Sequence, residues 1–384
     1  MPIEFKRAYL VEIRSRYQNS TRKEKSKILD EFCAVNSYNR KHAIRILNSV
    51  VRPRLRKPGP VSKYNRVDVL KSLKELWQMM NEICSKKMTV AFADWLPFYE
   101  CRDDVKVLLL KMSSSTIDRL LRSYRSPLVK GLSTTKKSYF KNKIPIKLLD
   151  AEIKIPGYVE GDTVAHCGLS AAGEFGSSLT ITDLCSGWTD NRAMWTKKAE
   201  KVKDQLKDIE ERLPFTLIGL ATDNGSEFLN EVVVDYMIDR EIPLNMVRRR
   251  AYKKNDNAHV EQKNNTHVRQ LFGYERIEDP SIVLLMNEIY RAYWNPLLNF
   301  FIPVLKLKDK QRIGGRVKKI YDTPKSPYRR LLENTYVPEK EKAKLRESFA
   351  LKNPIYLKKQ LDEKLKEFYK RVDEHKRMKK LTGS

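Results

Sequence analysis

Two apolar runs in this chain each end on an acid, and a third acid opens a polar helix. The first string, GYVEGDTVAHCG, places Asp162; the second, LIGLATDNGSEF, places Asp223; the third, KKNDNAHVEQKN, places Glu261. In the first run Tyr158, Glu160 and Asp162 share one strand face, and Val159, Gly161 and Thr163 share the other. Acids at the ends of adjacent strands point to one sheet edge, and a helix brings a third from the side. Unit charges about 4 Å apart at an effective dielectric near 20 repel by about 4 kcal/mol. Three convergent carboxylates therefore call for cations, and oxygen ligands of this kind suit Mg²⁺ or Mn²⁺. Taken singly, each acid reads equally as a cap or a surface residue, and Asp223-Asn224-Gly225 as a turn. It is the conjunction that points to a site.

Charge is unevenly spread along the 384 residues, whose formal net charge is +28. Residues 1–150 hold 33 Lys and Arg against 14 Asp and Glu; residues 151–300 hold 18 against 23; residues 301–384 hold 25 against 11. Basic flanks around an acidic middle suit a protein that grips a polyanion. The five cysteines are odd in number and form no CxxC pair, which argues for a reducing cytoplasm. The N-terminus carries no apolar signal segment, and no long apolar run suggests a membrane span.

Residues 1–51 read as a helix-turn-helix module. Ile28, Leu29, Phe32 and Val35 are expected inward on its first helix, and Ala43, Ile44 and Leu47 on its second. Arg40, Lys41 and Arg45 then face outward, toward DNA or simply toward water. Residues 52–65 form a basic linker. Residues 66–125 form a helical region ending in a second helix-turn-helix candidate. There Ser114 or Ser115 is expected to cap a helix, Ile117, Leu120 and Leu121 to face the core, and Arg119, Arg122 and Arg125 to face out.

A further linker over 126–152 leads to a mixed α/β domain over 153–300. Strands are expected at 158–167, 178–185, 188–195, 216–223 and 243–248, and helices at 197–212, 226–240 and 257–271. Residues 301–338 read as irregular and basic. The following charged helices carry a narrow stripe of Leu361, Leu365, Phe368 and Val372, read as a solvated tail.

The strings TDNGSEF and YKKNDNAHVEQKN resemble those of bacterial insertion-sequence transposases with an integrase-type Asp-Asp-Glu core of the ribonuclease-H-like superfamily. That resemblance implies a multidomain fold: all-α helix-turn-helix modules, an α/β ribonuclease-H-like core and a basic, mostly helical C-terminal region. Asp162, Asp223 and Glu261 would be both catalytic residues and ligands of two Mg²⁺ or Mn²⁺ ions. The implied partners are double-stranded DNA, as terminal inverted repeats and as target, and further copies of the chain in a DNA end complex. The implied location is the bacterial cytoplasm, at the nucleoid. Arg249, Lys253, Lys254, Lys263, Asn264 and Arg269 are the expected DNA contacts beside the triad. The interval between Asp223 and Glu261 is slightly longer than the family's commonest, and the zinc-binding domain of retroviral integrases is missing. The competing readings are a nuclease acting on RNA in hybrids and a DNA-binding regulator with an idle core.

Overall fold

The computed structural model describes residues 3–49, 62–125, 153–222, 227–228, 230–240, 244–248, 263–313 and 316–382. The chain divides into two compact units, residues 1–62 and 63–384.

The first unit packs α1 (Ile3–Gln18), α2 (Arg22–Asn36) and α3 (Arg40–Asn48). Thr21 opens α2 with a capping box, its N–H donating to Glu24 at 2.8 Å, which satisfies a donor the helix itself leaves orphaned. Ser37 ends α2 in the left-handed conformation, and Asn39 opens α3 by accepting from the Lys41 N–H at 3.0 Å. Ile13, Tyr17, Ile28, Leu29, Phe32, Ala43 and Leu47 form the core. Val35 and Ile44, expected inward, are exposed. A core enclosed by such short helices is too narrow to reach them.

The second unit begins with α4 (Val67–Met79), α5 (Ser85–Trp95), α6 (Asp103–Leu110) and α7 (Ser114–Leu121). Ile117 and Leu121 are buried and Leu120 packs against the same core, as the periodicity indicates. The cap of α7 is Ser113, whose Oγ accepts from the Thr116 N–H at 3.3 Å. Ser114 and Ser115, the expected caps, lie inside the first turn.

Five strands then form one sheet in the order β3-β2-β1-β4-β5. They are β1 (Tyr158–Ala165), β2 (Gly176–Asp183), β3 (Thr189–Trp195), β4 (Gly219–Thr222) and β5 (Asn245–Arg248). The first three make an antiparallel meander, and β4 and β5 run parallel to β1 and β4 respectively. The β1–β2 loop turns through Gly168 and Gly173, both at positive φ, where a Cβ would be strained. Helices α8 (Ala199–Glu210) and α9 (Glu231–Ile238) cover one face. Val159, Leu179, Ile181, Met194, Val202, Leu206, Leu220, Phe228, Val233 and Met237 are buried between them and the strands.

Beyond β5, a π-wound stretch Asn264–Arg269 continues as an α-helical turn Gln270–Phe272; together they are α10. Helix α11 starts at Pro280–Glu288 and loosens into π-wound turns at Ile289–Trp294 and Leu297–Phe301. Pro296 lies between those turns and has no N–H to donate, a standard cause of departure from α geometry. The exposed edge of β3 is closed by α11 side chains. Asn287 accepts from the Ala193 N–H at 2.8 Å and donates to its carbonyl at 2.7 Å. Asn299 does the same for Thr189, at 2.9 and 2.8 Å.

The C-terminal region departs from expectation. Residues read as irregular contain β6 (Leu307–Ile313) and β7 (Arg316–Tyr321), an antiparallel ribbon. Helices α12 (Pro327–Glu333), α13 (Glu339–Ala350) and α14 (Pro354–Thr382) follow. Helix α14 is not a solvated tail. Leu361, Phe368 and Val372 are buried, the Phe368 ring lies 4.7 Å from that of Phe272, and the Tyr369 hydroxyl donates to the Leu271 carbonyl at 2.9 Å. One cluster of buried residues takes in α4 to α7, α10, α11 and the C-terminal helices. Trp95 Nε1 donates to the Phe301 carbonyl at 3.1 Å across it. The sequence divisions expected near 126 and 301 therefore separate segments of one core. Among the described residues no helix is long and apolar enough to cross a membrane.

Candidate functional site

The sheet face opposite α8 and α9 is polar, because β2 alternates Ser178, Thr180 and Thr182 with Leu179 and Ile181. Register sets Asp162 opposite Thr180, and Thr180 opposite Asn191. Thr180 and Asn191 are fully buried, and Asn191 Nδ2 donates to Thr180 Oγ1 at 2.8 Å. The Thr182 and Thr189 hydroxyls meet at 3.2 Å in the next row. The buried Glu160 side chain shares this face with Asp162.

Donors from β1 and α10 hold the Asp162 carboxylate. The Thr163 N–H reaches Oδ1 at 2.8 Å, and Nδ2 of the buried Asn264 on α10 reaches Oδ2 at 2.6 Å. Asn264 Oδ1 is buried with no hydrogen-bond partner among the described residues. It is an orphaned oxygen on the side chain that touches the acid. Further along the face, Ser178 Oγ bonds both the His166 ring at 2.8 Å and the Tyr290 hydroxyl at 2.9 Å. Burial, and then the cations Arg269 and Lys197, push the His166 pKa down to about 3, so the ring is neutral at physiological pH.

The other expected residues fall as follows. Asp223, Glu261, Arg249, Lys253 and Lys254 lie outside the described residues. Lys263 Nζ donates to His267 Nε2 at 3.4 Å; burial, with Lys87 of α5 nearby, pushes its pKa down to about 7. Arg269 donates to the Ala165 carbonyl at 3.0 Å and stacks on Tyr274, which pins α10 to the end of β1. Arg40 pairs with Asp30 and donates to Ser26 at 2.8 Å, tying α3 to α2. Arg45 meets the His42 ring at 2.9 Å, and Lys41 is exposed. Arg119 and Arg122 are exposed, and Arg125 pairs with Asp118 at 2.7 Å.

Glu227 stands on the apolar side of β1, beside Thr163. It accepts from Thr163 Oγ1 at 2.5 Å and pairs with Lys197 at 3.3 Å. Burial alone would raise its pKa, but Lys197 and the Thr163 hydroxyl hold it below the usual carboxylate value. Asn230 caps α9, accepting from the Val233 N–H at 2.9 Å. Among the described residues no three His, Cys, Asp or Glu side chains gather as a metal-binding set. Sequence reasoning missed Thr180, Asn191 and Lys197 as the setting of Asp162 and Thr163. The alternation of SSLTITD carried the signal for the first of these.

No protein-family model matches the chain. Over 340 residues it is 37% identical to Uncharacterized protein y4rM of Sinorhizobium fredii (strain NBRC 101917 / NGR234), a match covering 84% of this chain and 94% of that protein. The chain belongs to the same family as that protein. Among solved structures, the catalytic core domain of BIV integrase is similar with 14% identity and a TM-score of 0.25, over 31% of this chain and 70% of that one. A chain of the simian T-cell lymphotropic virus intasome in complex with PP2A regulatory subunit B56 gamma is similar with 13% identity and a TM-score of 0.27, over 45% of this chain and 56% of that one.

Proposed function

We propose that the chain is a DNA transposase that cleaves the ends of a mobile element and joins them to target DNA through a divalent-metal site on the polar face of the sheet. The observation that carries this reading is the hydrogen bond between Asp162, in the first motif string, and Asn264, the last residue of the third. The parallel register of β1 and β4 ends at Gly161 opposite Thr222. Asp162 and Asp223 are the next residues in the chain after that pair. Asn264 on α10 touches Asp162, and Glu261 precedes Asn264 by three residues in the chain. The first and third motif strings thus touch through Asp162 and Asn264.

The residues present fit hard cations. Asp162 sits on a face of hydroxyl and amide groups, the orphaned Asn264 oxygen adjoins it, and the proposed donors are all oxygen. Asp162, Asp223 and Glu261 would hold two Mg²⁺ or Mn²⁺ ions. Bound there, two such ions activate an attacking oxygen and stabilise a leaving one in an in-line phosphoryl transfer. The protein's own part is positional. Asn264 and the Thr163 N–H fix the Asp162 carboxylate, and Arg269 holds α10 against β1. No Ser or Tyr nucleophile is required, since water and then a freed 3′ hydroxyl attack directly. The exposed cations Lys41, Arg119 and Arg122 would grip duplex DNA, the α2–α3 and α6–α7 pairs acting as helix-turn-helix modules. Several copies would hold two element ends.

The test uses duplexes carrying the DNA that flanks the coding sequence, with Mg²⁺. The wild-type chain is expected to cleave and join them. Asp162→Asn, Asp223→Asn and Glu261→Gln are each expected to fall below detection while still binding the duplex. A Glu261→Gln protein that joins ends at the wild-type rate overturns the triad.

A further inference from the structure

We propose that the β6–β7 ribbon is a DNA-binding arm that lies against the backbone of duplex DNA; the inference rests on the transposase reading for its partner. Residues 307–321 carry six Lys or Arg and a single acid, Asp309. Successive strand residues point to opposite faces. Lys308 and Asp309, Gln311 and Arg312, and Lys318 and Lys319 are adjacent pairs, and all six residues are exposed. Both faces of the ribbon are therefore open to water at these positions.

An isolated two-stranded ribbon is marginal in water at best. This one is fastened at its base. Lys306 Nζ donates to the Leu184 carbonyl at 2.5 Å, the Lys306 N–H donates to Asp322 at 2.8 Å, and Arg330 pairs with Asp322 at 2.7 Å. The base is built into the fold, while the described outer positions gather exposed positive charge. A polyanion would neutralise that charge. A two-stranded ribbon also has the width that a DNA major groove admits. Lysines and arginines of this kind position a duplex and do not read its sequence.

The test compares full-length wild-type protein with two variants in salt titrations of duplex binding. One variant carries Lys308→Ala, Arg312→Ala, Lys318→Ala and Lys319→Ala. The other loses equal charge from the exposed α14 positions Lys359, Lys366, Lys370 and Arg377. Each phosphate contact contributes about −0.9 to the slope of log affinity against log salt, so the ribbon variant should have a slope shallower by about three to four. The α14 variant should keep the wild-type slope, and both should keep the wild-type melting temperature. Equal slopes in the two variants, or a ribbon variant that binds as wild type does, overturn the assignment. So does a ribbon variant impaired on single-stranded RNA alone. Wild-type protein that binds no duplex DNA at all overturns the transposase reading instead.

Discussion

The two faces of the five-stranded sheet are built to opposite rules. Toward α8 and α9, β1 and β2 present Val159, Leu179 and Ile181 to Phe228, Val233 and Met237. Toward α10 and α11 the same strands present Glu160, Asp162, Ser178, Thr180 and Thr182. The apolar face gains from removing carbon from water and is indifferent to direction. The polar face gains nothing from burial alone, because each hydroxyl or amide left unmatched there carries a penalty. The first can stabilise; the second can aim groups at a substrate. A strand alternating with a period of two serves both because each residue belongs to one face only.

Substitutions can break that division of labour. The largest expected effect lies on the apolar face. Phe228→Ala should cost about 3–5 kcal/mol of stability, read as a lower melting temperature, while the cleavage rate per folded molecule is retained. A loss of cleavage at unchanged stability would show that the scaffold face does chemistry. Next comes the contact that fixes Asp162. Asn264→Ala should lower cleavage about 10–100-fold, as removal of a ligand's supporting hydrogen bond does, with little change in melting temperature. If stability falls and the rate per folded molecule does not, Asn264 is a packing residue.

The smallest effect concerns pH. His166 is held near pKa 3 in the folded chain, first by burial and then by Arg269 and Lys197, against an ordinary value of 6.5. Between those values the unfolded chain binds the extra proton, so stability is complete above pH 6.5 and drains away as pH falls toward 3. Melting temperatures of the wild type should therefore drop more steeply between pH 6.5 and 4.5 than those of His166→Gln. Parallel profiles would locate the acid sensitivity elsewhere.

Much of the sheet could be read directly, because alternation in VEGDTVA and SSLTITD is a local signal that the fold keeps. The neighbours of Asp162 could not. Thr180 stands opposite it through cross-strand register, with Asn191 opposite Thr180 in turn, and Asn264 lies 102 residues away in the chain. The stripe on α14 was visible, but a stripe does not name what faces it; Phe272 and α11 supply the answer. Val35 and Ile44 show the converse, since apolar spacing continued past the edge of a small core. The ribbon was hidden because its strands lack the apolar alternation that marks a buried sheet.

The asparagines on α11 have one more consequence. By answering the N–H and C=O of Thr189 and Ala193, Asn287 and Asn299 occupy the places a sixth strand would take. A strand edge so occupied offers no template to another chain. Assemblies of this protein cannot be extended by sheet joining sheet along β3 while α11 is in place. If heat or mutation loosens α11, β3 becomes a live edge, and the same asparagine contacts that complete the fold would then mark where clumping begins.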